Sequence, residues 1–518
     1  MPLEDLLTED RPFGPHDQTK IDDSKDAVEI LDLYDPLASI TRRHYTLIYG
    51  RKGSGKSAVI SLYQGYRHLA RKAIDGSNRI DEVNKSTIYV PIKTWAHFFD
   101  MNQRVQRLLA EKMGAKSIDL VDFDLVPVET IEEAWLERIW DEVFKKFYDL
   151  YRQDEISELS IPNVVLCFDD ERLSNLRGTP EYLASKVFSN AKRDVLNFLD
   201  RRNTSVCILF DSMEKYPIAS SAFGFSMSGF LRALNTFQEN HARTRAIFAL
   251  PEELLPFFHS KSENLLKDFE NSYPMRWSPD QLLRMAAHRY RMFLRIRDPE
   301  FYKKIKDLDL NSRSSGLRQF YSIIFPVFVE NEMKMKESAI AYIVRHTQLL
   351  PRHFIMHLNK IAVSSHAETG GWREFKADLF LSAIQSTEEL IAKEILSPYE
   401  YIHRGLGQSL KSALAGLGPV FTFGELHKRI NRFKDKIQLE HYQVMELLFN
   451  IGIIGKLSAD TSGLYSNADF YFNRKTPPNF GSEESFCFHP IFSRHFGACE
   501  RRAGDVRLIY PNGIEAEI

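Results

Sequence analysis

The stretch Tyr49-Gly50-Arg51-Lys52-Gly53-Ser54-Gly55-Lys56-Ser57-Ala58-Val59 puts three glycines, three cations and two serines into eleven residues, directly after an apolar run. Gly50 to Ser57 follow the pattern G-x-x-x-x-G-K-[ST] without departure. Each residue type has a physical reason to be there. Glycines let the main chain take positive φ and turn successive N–H groups toward phosphate oxygens. Lys56 brings a point charge suited to β- and γ-phosphates, and the Ser57 hydroxyl suits Mg2+. A helix starting at this point adds its N-terminal N–H groups and macrodipole. The expected nucleotide contacts are therefore Gly50 to Ala58, with ATP and Mg2+ as the cofactors.

The surroundings fit. "YTLIYG" before the loop reads as a short buried strand, and "KSAVISLYQGYRHLARKA" after it as an amphipathic helix. "STIYVPIK", "SVCILFD", "TRAIFALP" and "SYPMRWS" supply four more strands. Strands alternating with helices predict an α/β fold, a parallel sheet flanked by helices. The third strand delivers Asp211 at its C-terminal end, where ligands of such sheets bind, so Asp211 is the expected metal partner of Ser57. Residues 95–200 read as a large helical insertion, and 280–395 as helical throughout. The expected domains are a flexible arm at 1–25, a nucleotide-binding core at 26–280, a helical lid at 281–400 and a C-terminal domain at 401–518.

Bulk composition sets outer limits. The 518 residues exceed one compact core, and 43% hydrophobic with 27% charged residues describes an ordinary globular chain. A formal net charge of −2 excludes a global field for nucleic acid or anionic lipid. The four cysteines, Cys167, Cys207, Cys487 and Cys499, include no CxxC and read as reduced thiols. With no long apolar run and no signal core, the reading is a cytoplasmic protein with no membrane contact. "FGFSMSGF" around Ser226 carries no nucleophile-elbow pattern.

The set "GRKGSGKSA", "ILFDSMEK", the polar segment after "TRAIFALP" and "PRHFIMHLN" ahead of the C-terminal domain resembles the additional-strand P-loop ATPases. Within them it is most similar to bacterial STAND/AAA+ ATPases and to origin-recognition-type initiators. The resemblance implies that "TRAIFALP" lies between the Asp211 strand and the phosphate-loop strand, with a lid folded over the nucleotide. It implies an ATPase, turning over slowly if at all, because the carboxylate that many relatives carry next to the metal aspartate is replaced by Ser212. Glu214 is then the candidate base. Arg352 matches the lid arginine that reads the γ-phosphate, joining Lys56 and Glu214 as catalytic residues. Glu252 or Arg245 could serve as the fourth-strand sensor, and Arg276, Arg284 or Arg289 as a finger in a homo-oligomer. Such bacterial ATPases often serve in conflict systems, including antiphage defence.

Beyond residue 405, a turn-rich "GLGQSLKSALAGLG" reads as a boundary. "TFGELHKRINR" and "LEHYQVMELLFNIGIIG" read as helices, and "ADFYFNR" and "SFCFHPIF" as strands, an order resembling a winged helix. His427, Lys428, Arg429, Arg432, Lys434 and Lys436 concentrate positive charge between the helices, as phosphate contacts require. The second helix offers Glu440, His441, Gln443 and Glu446 instead, so DNA and a protein partner stay equally open. The functional expectation is an ATP-driven switch acting on DNA or a protein. The alternatives are a DNA-binding initiator or loader, and a scaffold that binds nucleotide without hydrolysing it.

Overall fold

The computed structural model of the chain describes residues 3–16, 45–63, 87–116, 121, 126–177, 179–211, 221–260, 269, 271–311, 315–403, 405–433, 439–458, 465–473, 481, 484–498, 508–511 and 514. Two compact units divide the chain. One comprises Leu37–Arg51 and Lys56–Met275, the other Met1–Pro36, Lys52–Gly55 and Arg276–Ile518.

The first unit is built on five strands: β1 (Leu47–Gly50), β2 (Thr87–Ile92), β3 (Ser205–Phe210), β4 (Thr244–Pro251) and β5 (Ser272–Pro274). They pair in parallel throughout, in the order β2-β3-β4-β1-β5. All six residues of β3 are buried, the near-continuous apolar run demanded of a strand covered on both faces. Strand β4 separates β3 from β1, the order the family resemblance implied. The fold class is thus α/β, a parallel phosphate-loop sheet with flanking helices.

Helix α1 begins at Lys56 and is described to residue 63. The expected insertion is present as α2 (Trp95–Lys112), α3 (Val128–Arg152), several short helices, and α4 (Lys186–Arg201), followed after β3 by α5 (Ser221–Glu239). Its work is packing. Phe98, Trp135, Phe210, Phe230 and Phe248 share one core. The Trp135 indole donates to Ser226 Oγ at 3.1 Å, and that hydroxyl donates to Asn102 at 2.6 Å, so Ser226 is a buried strut. A methyl group on Gly229 would lie 2.4 Å from Ile131 Cγ2 and 2.8 Å from its carbonyl carbon, so α3 and α5 approach as only glycine permits.

Arg138 anchors a buried charge network, 2.6 Å from Asp141 and 2.5 Å from Glu142. Arg177 also reaches Asp141, and His97 reaches Glu142. Burial alone would raise the Glu142 carboxyl, but the His97 hydrogen bond and Arg138 outweigh it and bring it down to about 2.

The second unit corrects several expectations. Residues 3–16, expected as part of a loose arm, are anchored: Phe13 is 1% exposed and stacks on Tyr290 at 4.6 Å. Its N–H donates to Asn359 at 2.8 Å, and its carbonyl accepts from Arg289 at 3.1 Å. The acidic residues of this segment hid the apolar set Leu6, Leu7 and Phe13 that pins it. The lid contains α6 (Pro279–Arg297), α7 (Ala339–Arg345), α8 (Pro351–Thr369) and α9 (Leu379–Ile402). It is not helical throughout, because the hairpin β6 (Phe328–Glu330) and β7 (Lys336–Ser338) interrupts it. Asn331 folds that turn by accepting from the N–H groups of Met333 and Met335.

The turn-rich boundary is itself a helix, α10 (Leu406–Leu414), bracketed by Gly405 and Gly416 in left-handed conformation. Then come β8 (Val420–Thr422), α11 (Phe423–Asn431), α12 (His441–Ile451), β9 (Ile454–Leu457), β10 (Tyr465–Asp469), β11 (Ser485–Phe488), α13 (Pro490–His495) and β12 (Leu508–Pro511). The sheet order is β12-β10-β9-β11-β8. "SFCFHPIF" is a strand only to Phe488, because Pro490 occupies the first turn of α13.

Candidate functional site

The glycine-rich loop runs from the end of β1 into α1. Gly53 and Gly55 have φ of 85° and 97°, the left-handed region that admits glycine at no steric cost. Lys56 is 6% exposed and donates to the carbonyls of Gly50 at 2.8 Å and Arg51 at 3.0 Å. Ser57 Oγ donates to Asp211 Oδ1 at 3.1 Å across 154 residues of sequence. Asp211 is 6% exposed, and its own N–H donates to the Ile92 carbonyl at 3.0 Å, which fixes it just beyond β3. Lys56, Ser57 and Asp211, all expected from sequence, are thus brought together in the first unit.

Loop residues 52–55 belong to the second unit, together with Arg352. A methyl group on Gly53 would lie 3.0 Å from Arg352 Cβ. The Ser54 carbonyl accepts from the Trp277 indole at 2.7 Å. Arg352 stands in the first turn of α8, where a cation opposes the helix macrodipole. Glu394 of α9 pairs with its guanidinium, and the His16 carbonyl accepts from Nε at 3.2 Å. Leu349, three residues earlier, holds a φ of 51° that a Leu rarely adopts. Trp277, Glu394 and Leu349 were not expected. Glu394 lies 42 residues from Arg352 and carries no motif, so only the fold could reveal it.

Other expectations resolve individually. Glu214 lies outside the described residues. Glu252 directly follows β4, whose Pro251 pairs with Gly50, and is 7% exposed. Arg245 sits at the other end of that strand, roughly 20 Å away by strand rise, which removes it as a sensor. Arg289 is 2% exposed and committed to Phe13, so it is no finger, and Arg284 pairs with Asp280 at 3.2 Å. Arg276 is exposed and lies over the Tyr471 ring. In α12, Glu440 and Gln443 cap their own helix and are not free to read a partner. Lys434 and Lys436 lie outside the described residues, while Lys428 on α11 and Arg432 at its C-terminal cap are exposed. Cys167, Cys207 and Cys487 are buried and unbridged, and Cys499 is outside the described residues.

The residues fit a magnesium triphosphate. Beyond the hydroxyl–carboxylate pair, Ser54 Oγ is buried in the loop with no hydrogen-bond partner among the described residues, an acceptor-seeking donor where a phosphate oxygen is expected. No helix among the described residues is long and apolar enough to cross a membrane.

No protein-family model matches the sequence, and no curated protein matches it. Solved structures that the chain matches include the Aeropyrum pernix ORC2 protein in ADPNP-ADP complexes, 12% identical with a TM-score of 0.34, covering 91% of this chain and 93% of that one. Drosophila ORC bound to DNA is 10% identical with a TM-score of 0.27, covering 94% of both chains. Cdc6p from Pyrobaculum aerophilum is 11% identical with a TM-score of 0.27, covering 90% of both.

Proposed function

We propose that this chain is an ATP-binding and ATP-hydrolysing switch protein of the STAND/AAA+ type. The observation that carries the reading is the 3.1 Å hydrogen bond from Ser57 to Asp211 beside a glycine-rich loop whose Lys56 heads a helix. Main-chain N–H groups of Gly50 to Ala58 would hold the triphosphate, and Lys56 would exchange its two carbonyl partners for phosphate oxygens. Ser57 and Asp211 would hold Mg2+, which supplies charge neutralisation on the phosphates when bound. Glu214 would orient and deprotonate the attacking water. Arg352 would read the γ-phosphate, its position against the helix dipole being an electrostatic cost that a bound anion relieves.

The order α10-β8-α11-α12-β9-β11, with β11 pairing both β8 and β9, supports the winged-helix reading, β10 being an insertion in the wing. That module would contact DNA or a protein partner, with homo-oligomerisation the expected route to a finger in trans. Calorimetry with MgATP and phosphate-release assays test the reading. Wild type should bind and release phosphate, Asp211→Asn should lose the Mg2+ dependence, and Glu214→Gln should bind without release. A folded protein that takes up no purine triphosphate refutes it. Binding with no release by wild type favours the scaffold alternative, and salt-dependent DNA binding strengthened by ATP favours the initiator.

A further inference from the structure

A second concave site lies wholly within the second unit, and the nucleotide reading does not use it. It is a cleft of about 1500 Å³. The lid contributes Arg345, His346 and Glu388 to its lining, and α11 with its C-terminal cap contributes Lys428, Arg429 and Arg432. Three further cations at the cleft are already neutralised. Arg345 holds Glu337 through two contacts of 2.9 Å, Lys456 pairs with Glu484, and Arg494 pairs with Glu332. Lys428, Arg429 and Arg432 have no carboxylate partner among the described residues. Glu425, one turn before Lys428, is spent on the Thr422 cap of its own helix, and Asp435 lies outside the described residues.

A second observation comes from the lid wall. His346 is 8% exposed and lines the cleft. Its Nδ1 is held by Glu388, while its Nε2 is buried with no hydrogen-bond partner among the described residues. An unmet polar atom of this kind carries a desolvation penalty that a ligand can relieve. Leu417, Leu457 and Ile509 supply apolar surface between the two polar regions. Two guanidiniums and an ammonium clustered on one helix match a phosphate better than a lone carboxylate. The volume exceeds the roughly 300–1,000 Å³ usual for small-molecule pockets, leaving room for a nucleotide-sized ligand. A DNA duplex laid across α11 could not reach a histidine this buried.

We propose that this cleft binds a phosphorylated small molecule of nucleotide size, with its phosphate on Lys428, Arg429 and Arg432 and a polar group on His346 Nε2. The test uses full-length protein carrying Lys56→Ala, which silences the loop site, with ADP and inorganic pyrophosphate as probes in calorimetry. Both probes should bind, and the double variant Arg429→Gln/Arg432→Gln should weaken both by about tenfold or more. His346→Phe should weaken ADP and leave pyrophosphate unchanged. Should the buried histidine variant fail to fold, the arginine pair still decides, because it lies on the accessible side of α11. Absence of binding by both probes, or binding indifferent to the arginine pair, overturns the proposal. So does an arginine pair that abolishes capture of a short DNA duplex while ADP binding is unaltered, since the cations would then belong to a nucleic-acid surface.

Discussion

The two five-stranded sheets of this chain solve different problems with similar materials. The first is entirely parallel, with β3 buried at every position and Asp211 set at its end. The second is mixed: β8, β11, β9 and β10 pair antiparallel in turn, and β12 joins β10 in parallel. A parallel sheet needs helical crossovers, and these bring distant residues such as Ser57 and Asp211 to one rim. The second sheet also joins distant segments, β8 with β11 and β10 with β12, but its strands are only three to five residues long. The difference teaches where to look for chemistry: at strand ends in the first sheet, and on helix surfaces and clefts around the second.

The comparison breaks most visibly if the first unit's charge network is only decoration. Replacing Arg138 by Leu removes the guanidinium shared by Asp141 and Glu142, which are 2% and 5% exposed, and leaves them only Arg177 and His97 as partners. The expected loss is about 3 kcal/mol in urea unfolding, the low end of the cost of breaking a buried ion pair, because Arg177 and His97 remain. A loss below about 1 kcal/mol would mean that water reaches the network. Next in size, Lys56→Ala should weaken the tight MgATP site by about a hundredfold, close to 2.7 kcal/mol, with circular dichroism unchanged. An unchanged affinity would detach phosphate binding from the loop.

How much of this could be read beforehand follows the same division. "YGRKGSGKSAV" and "SVCILFD" declared both strands and the meeting of Ser57 with Asp211, because a fully buried strand is an unbroken apolar run that ends where a polar residue stands. Arg352 was legible as a motif, but its partner Glu394 was not, since pairing across helices leaves no periodic trace. Around the second sheet, β8 and β9 were missed, being three and four residues long with no clear period-2 pattern. The helix Leu406–Leu414 was masked by its flanking glycines, which end helices as readily as they make loops. The lid hairpin was hidden in the same way, its exposed Val327 and Phe328 giving no alternation.

Glycine substitutions sharpen the contrast in packing. At Gly229 an added methyl group meets the Ile131 backbone at 2.8 Å, whereas at Gly455 it meets the Phe470 ring at 2.6 Å. A ring can turn aside, but a helix backbone can move only as a whole. Gly229→Ala should therefore cost about 2–3 kcal/mol and Gly455→Ala about 1–2 kcal/mol, compared by urea midpoints. The reverse order would show that the second sheet is the more rigid of the two.

The smallest effect concerns protons. In the second unit, burial pushes the Glu388 carboxyl up to about 8, against the opposing pull of His357 and Arg345, so it stays protonated near neutrality. The unfolded chain releases that proton near the model-compound value, so the folded state holds more protons between about 4.5 and 8. Stability from this group is complete below the unfolded value and is lost as pH rises toward 8. Burial and Arg345 keep His346 neutral, and burial lowers His357 to about 4, so both histidines act only as pH falls below about 6.5. Glu142 in the first unit, lowered to about 2, loses its contribution only as pH falls from about 4.5. Between pH 6.5 and 8 the two units should therefore behave differently. Amide exchange should accelerate beyond its intrinsic pH dependence in α7 and α9, and should track that dependence in α3. Glu388→Gln should abolish the extra acceleration, and its persistence in that variant would assign the effect to some other group in the lid.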